Sequence, residues 1–195
     1  MRGLRAILAL IGRAPLSEFQ IYFGDMKSAF KNSLTAVGGS VLLIMIIARN
    51  VTILQRRTSG SGRDDNFELA TSLPLFQIGI TALFYLLAFT AVAFLLSLVF
   101  GNKDAVWRWT SVRHWMVFYA LIPTALIVVL ASNGLLPAML ASVVLFTVFI
   151  GWLFADIRLA YKVGEMDFVG SIFAACIVQA IGLTIILMAT LQGLS

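Results

Sequence analysis

Nine acidic residues, one histidine and one cysteine are the carboxylates, imidazole and thiol that this 195-residue chain can bring to acid–base, nucleophilic or metal chemistry. Asp64, Asp65 and Glu68 offer carboxylates to a divalent cation, but they lack EF-hand spacing and stand in a Gly-Ser linker, which fits a solvated loop. His114, in the run WRWTSVRHW, could carry a proton or bind a metal, yet no nucleophile and carboxylate are placed together to accompany it. Asp156 and Arg158 close a long apolar run, where charge points to function by default and ordinary exit from a bilayer is the simpler account. An ion pair from Asp156 to another helix, with Arg113 as a candidate, is the sharper expectation. Gln77 and Gln179 are the amides deepest in apolar sequence, suited to hydrogen bonds between helices. Cys176 sits in the last apolar run and is expected to be buried and unreactive. With one His and one Cys, no zinc finger or bis-His haem site is possible within one chain, and no metal or cofactor is expected. The protein is therefore expected not to be an enzyme.

The elements that must position these residues follow from hydropathy. Hydrophobic residues make up 61% of the chain and charged residues 12%, against about 25% charged in soluble domains. Too few polar residues remain to cover a soluble surface, and the apolar ones cluster in blocks long enough to cross a bilayer. Five spans are expected, at about 34–54, 74–100, 115–131, 137–156 and 168–191, giving an all-α, polytopic transmembrane helical bundle. The first is the weakest, because Gly38-Gly39 interrupts it and Arg49 must reach an interface. Asn133-Gly134 and Pro137 predict a tight hairpin between the third and fourth spans. Pro123 removes one backbone bond in the third and should kink it. The run WRWTSVRHW is expected to be an interfacial belt, with Trp107, Trp109, Arg108, Arg113 and His114 contacting lipid or a partner.

Residues 1–32 form an expected N-terminal arm ahead of a transmembrane domain at 33–195. Leu4, Ile7, Leu8 and Ile11 share one helical face, so the arm is read as amphipathic, with Arg2, Arg5 and Arg13 toward anionic headgroups. The net charge of +5 fits basic loops on one membrane side, and no nucleic acid is expected. With five spans, ten basic residues fall on the side of the N-terminus and four on the other, which predicts a cytoplasmic N-terminus and an external C-terminus. Gly38, Gly39, Ser40, Gly79, Ala82, Gly151, Gly170, Ala174 and Gly182 supply small faces for helix packing.

This layout resembles the Yip family, five-span membrane proteins named for interaction with Ypt/Rab GTPases. The residues that carry the resemblance lie in FGNKDAVWRWTSVRHWMVFYALIP: Gly101 in a polar turn, then a basic and aromatic stretch, then Tyr119-Ala120 and Pro123 inside the third span. The junction ADIRLAYKVGEMDFVGSIFAA is similar in layout. The resemblance spans roughly Pro74 to Leu191; the N-terminal arm is shorter, and the first loop longer and more polar, than the family suggests. It implies a membrane scaffold or accessory subunit with membrane lipids and other subunits, or further copies of the chain, as partners. The use of ten Arg against four Lys points to a bacterial inner membrane. A small transporter or channel acting as a homo-oligomer is the alternative, with Gln77, Asp156, Arg158 and Gln179 as its polar candidates.

Overall fold

A computed structural model describes residues 26–58, 75–100 and 105–192. These form five helices: α1 (Met26–Thr58), α2 (Leu75–Phe100), α3 (Ala105–Ser132), α4 (Ala138–Lys162) and α5 (Phe168–Gln192). The described residues contain no strand. Four helices are long and apolar enough to cross a membrane, over Phe30–Leu54, Leu75–Leu96, Trp107–Ser132 and Ala138–Lys162. The fifth is 25 residues long and opens with an apolar stretch, Phe168–Ala180. The chain is a membrane-inserted helical bundle.

Two of the expected boundaries move. Helix α3 begins ten residues before the expected span at 115, so the whole run WRWTSVRHW is helical and part of the bundle. Helix α1 begins inside the expected arm and passes through Gly38-Gly39 unbroken. The rest of the arm, with Arg2, Arg5 and Arg13, and the loop carrying Asp64, Asp65 and Glu68 lie outside the described residues.

Contacts at the two ends of α1 and α3 show that these helices run parallel. Ser33 meets His114 at one end, Asn50 meets Ser132 at the other, and Gly39 lies under the Phe118 ring between them. The two hydrogen bonds are about 26 Å apart along α1 at 1.5 Å per residue, close to the thickness of a hydrocarbon core. Helix α2 runs antiparallel to both, with Gly79 beside Met45 and Thr90 beside His114. Helices α4 and α5 form a hairpin on the other side of α3 and α2. Helix α3 is the most enclosed of the four spans and α4 the least.

Local chemistry accounts for the turns. After α3, Leu135 N donates to Leu130 O at 2.9 Å and Gly134 N to Ala131 O at 3.0 Å, with Gly134 at φ 77°. This is a Schellman cap, which needs a left-handed residue that glycine supplies at no steric cost. Pro137 then stands at the N-cap of α4, one position before the helix proper. At the far end, Asp167 caps α5 by accepting from Gly170 N at 3.1 Å. Helix α3 continues through Pro123, which faces outward.

The core forms two clusters. One gathers Phe89, Ala93, Trp109, Val112, Met116, Leu159, Ala160, Val163 and Val178 between α2, α3, α4 and α5. The other joins Val37, Leu86, Val117 and Leu121 between α1, α2 and α3. The outer wall is apolar, with Phe76, Phe84, Leu95, Leu126, Met139, Phe146, Phe154 and Phe168 all exposed. Such a surface suits lipid and not water.

Candidate functional site

Six polar side chains, Ser33, Thr90, Arg113, His114, Asp156 and Gln179, converge at one depth around α3. Consecutive residues of a helix point about 100° apart, so Arg113 and His114 serve two different sides. Both lie less than two turns beyond Trp107, about 9 Å in from that end of the span. Helices α1, α2 and α4 each contribute a partner to one of them, and α5 reaches the cluster through Asp156.

Arg113 faces the α4–α5 hairpin. Its Nε donates to Asp156 Oδ1 at 2.8 Å and its terminal nitrogen to Oδ2 at 2.9 Å. Gln179 of α5 donates to the same Oδ2 at 2.7 Å. The guanidinium lies over the Phe89 ring of α2, 2.8 Å from its centroid, and the Tyr85 phenol lies within reach of both charges. Arg113 is 1% exposed and Asp156 3%, so neither charge has water to fall back on. The arrangement answers that cost in three ways: a bidentate fork, a third donor on the carboxylate and an aromatic face under the cation. Asp156 shares its helix face with Leu159, Ala160 and Val163, all buried, and the small Ala160 lets neighbouring backbones come close.

His114 faces α1 and α2. Its Nδ1 is 2.9 Å from Ser33 Oγ and its Nε2 is 2.8 Å from Thr90 Oγ1. Each hydroxyl also reaches a carbonyl of its own helix, Ser33 to Phe30 O at 2.7 Å and Thr90 to Leu86 O at 3.1 Å. The ring is 2% exposed and sits 6.0 Å from that of Phe30. This half of the site is held by neutral groups alone.

The expected site residues separate accordingly. Asp156 and Gln179 meet at Arg113, and the ion pair from Asp156 to Arg113 is formed. Trp109, Arg113 and His114 face inward, which corrects their expected contact with lipid or a partner. They belong to a packed helix face with Val112, Met116 and Val117, and burial leaves them no outer surface. Trp107 remains at the rim, 42% exposed, with its ring 4.9 Å from Phe30. Arg108 pairs with Glu165 at 2.8 Å, tying α3 to the α4–α5 turn, where Glu165 has a φ of 53°. Gln77 is exposed in the first turn of α2, so it is no deep amide and does not join the cluster. Arg158 is half-buried on α4, away from the face that carries Asp156. Cys176 is exposed on the outer side of α5, contrary to the expectation of a buried thiol.

Ser33 and Thr90, which the sequence reading does not single out, are parts of the cluster. Their signal was weak: each is a hydroxyl able to bond back to its own helix, a common and inexpensive habit in membrane helices. Four buried polar atoms lack a hydrogen-bond partner among the described residues: Ser40 Oγ, Arg108 Nε, Trp109 Nε1 and Trp152 Nε1. No group of three or more His, Cys, Asp or Glu is placed to hold a metal ion among the described residues.

What these features define is a polytopic helical membrane protein with an internal polar cluster. Compared with family models, curated proteins and solved structures, the chain matches none.

Proposed function

We propose that this protein is a non-enzymatic scaffold or accessory subunit of a larger membrane complex. The observation that carries the reading is the self-contained polar cluster. Arg113, Asp156, Gln179, His114, Ser33 and Thr90 satisfy one another across all five helices. Polar groups engaged in this way fix helix positions and present a stable apolar exterior to lipid and to neighbouring subunits. The sequence layout around Gly101, Tyr119-Ala120 and Pro123 supports a Yip-type assignment of the same kind. The excess of Arg over Lys supports a bacterial inner membrane, and the distribution of both between the two sides supports a cytoplasmic N-terminus and a periplasmic C-terminus.

The test is gentle extraction of the tagged protein from its native membrane, followed by mass spectrometry of what remains bound. A defined set of membrane subunits is expected. A stable monomer that retains nothing would overturn the proposal. A second reading, transport by a homo-oligomer, is favoured by the buried Arg113–Asp156 pair, since intramembrane charge often marks an ion or substrate path. A pure homo-oligomer whose liposome flux is abolished by Gln179→Leu would move the assignment there.

A further inference from the structure

The hydrogen-bond count around a neutral His114 ring does not close with both hydroxyls in their helix-bonded positions. Ser33 and Thr90 each have one proton, and each can direct it to a carbonyl of its own helix. In that state both oxygens can only accept from the ring, and two ring donors are needed. A neutral imidazole has one donor and one acceptor. One hydroxyl must therefore turn its proton to the ring, and the distances choose between them. Ser33 is the closer to its carbonyl, 2.7 Å from Phe30 O, whereas Thr90 is 3.1 Å from Leu86 O and only 2.8 Å from Nε2.

We infer that His114 carries its proton on Nδ1, donated to Ser33, and that the Thr90 hydroxyl is a rotor that lets Nε2 take a second proton on acidification. With the ring neutral, Thr90 donates to Nε2. When a proton arrives at Nε2, the Thr90 proton turns back to Leu86 O, and Thr90 Oγ1 accepts from the new N–H. One N–H bond forms, no heavy atom moves and every donor keeps an acceptor. The charged and titratable groups around the ring are few. Helix α1 brings Lys31, exposed and two residues from Ser33; α2 brings Tyr85; α3 brings Arg113; and α4 brings Asp156, already paired with Arg113. Helix α5 brings only the neutral Gln179 to this depth. The inference is independent of the scaffold reading, because it concerns a proton site inside one subunit.

His114 is the sole histidine of the chain, so nitrogen-15 histidine labelling gives one pair of ring resonances, provided that the affinity tag contains no histidine. The full-length protein in lipid nanodiscs at neutral pH should show a protonated Nδ1 and a bare, hydrogen-bonded Nε2. Ser33→Ala should reverse the tautomer, moving the proton to Nε2, where Thr90 accepts it. Thr90→Val should leave the proton on Nδ1 and shift Nε2 to its position without a donor. Acidification until the ring is doubly protonated should bring both ring nitrogens to protonated, hydrogen-bonded positions. A parent protein with its proton on Nε2, or with both nitrogens protonated at neutral pH, overturns the inference. So does a tautomer that Ser33→Ala leaves unchanged, a Thr90→Val spectrum identical to the parent's, or a doubly protonated ring whose Nε2 proton shows no hydrogen bond.

Discussion

The two sides of α3 solve the same problem with different chemistry. Toward α4 and α5, Arg113 uses a full charge, matched by Asp156 and supported by Gln179 and Phe89. Toward α1 and α2, His114 uses hydroxyls that can also satisfy themselves on their own helices. The difference lies in what happens when one partner is lost. A buried charge without its counterion has no fallback, whereas Ser33 and Thr90 without His114 keep their carbonyl acceptors. The ionic side should therefore be brittle and the hydroxyl side tolerant, although both join helices at the same depth.

The largest expected effect tests that contrast directly. Asp156→Ala leaves the Arg113 guanidinium buried and unpaired, and should destabilise the bundle by about 3–5 kcal/mol. Thermal unfolding in detergent, or the yield of folded protein in the membrane, reads this out. Exchanging the charges, Arg113→Asp with Asp156→Arg, should restore only part of the loss. Phe89 would then face an anion, and Gln179 would have to turn its amide to accept. Replacing both with Met and Leu should come closer to the parent than either single change, since an apolar pair leaves no charge behind. If Asp156→Ala proves no worse than a change on the His114 side, the ionic face is not the brittle one.

The next effect separates two adjacent glycines. A methyl group on Gly39 would lie 2.5 Å from the Phe118 ring, whereas one on Gly38 would meet nothing within 4 Å. Gly39→Ala must displace the Phe118 ring or push α1 from α3 and should cost about 1–3 kcal/mol, as overpacking does. Gly38→Ala should instead stabilise the helix by up to about 1 kcal/mol. Equal effects from the two would mean that the α1–α3 contact is looser than the hydrogen bonds at its ends imply.

On the hydroxyl side, His114→Phe keeps a ring of similar shape and removes two interhelical hydrogen bonds. Each such bond averages about 0.6 kcal/mol in membrane bundles, so the expected cost is near 1 kcal/mol, well below that of Asp156→Ala. Unfolding measured side by side for these two variants is the sharpest form of the comparison.

How much of this was legible in sequence depended on the signal each residue carried. The five helices were visible because membrane spans announce themselves through length and hydropathy alone, and the α3–α4 turn because Asn133-Gly134 encodes its left-handed residue. Asp156 was readable as a residue in need of a partner, since a charge next to apolar sequence must be paired or leave the membrane. Sequence could offer Arg113 as a candidate for that partner and go no further, because contacts between helices depend on how each is rotated. That rotation also hid the role of His114. Charge and tryptophan in WRWTSVRHW resemble an interface, yet Trp109, Val112, Met116 and Val117 fall at helical spacing on one inward face. That periodicity was the available clue. Gln77 shows the converse: it looked deep because apolar residues follow it, but the helix begins only two residues earlier.

The smallest effect is expected at the opposite membrane face. Ser132 donates to Asn50 Oδ1 at 2.7 Å and can also reach Val129 O of its own helix at 2.9 Å, while the Asn50 amide nitrogen bonds Ile46 O at 2.8 Å. Ser132→Ala removes one hydrogen bond and leaves a single acceptor, Asn50 Oδ1, close enough to the interface for water to replace the serine. The cost should stay at or below about 0.6 kcal/mol. Asn50→Leu should cost no more, since Ser132 falls back on Val129 O. This contact therefore behaves as the His114 side does, through groups with a local alternative. A loss from Ser132→Ala as large as that from Asp156→Ala would show that position along α1 and α3, and not the availability of a fallback partner, decides which contact holds these helices together.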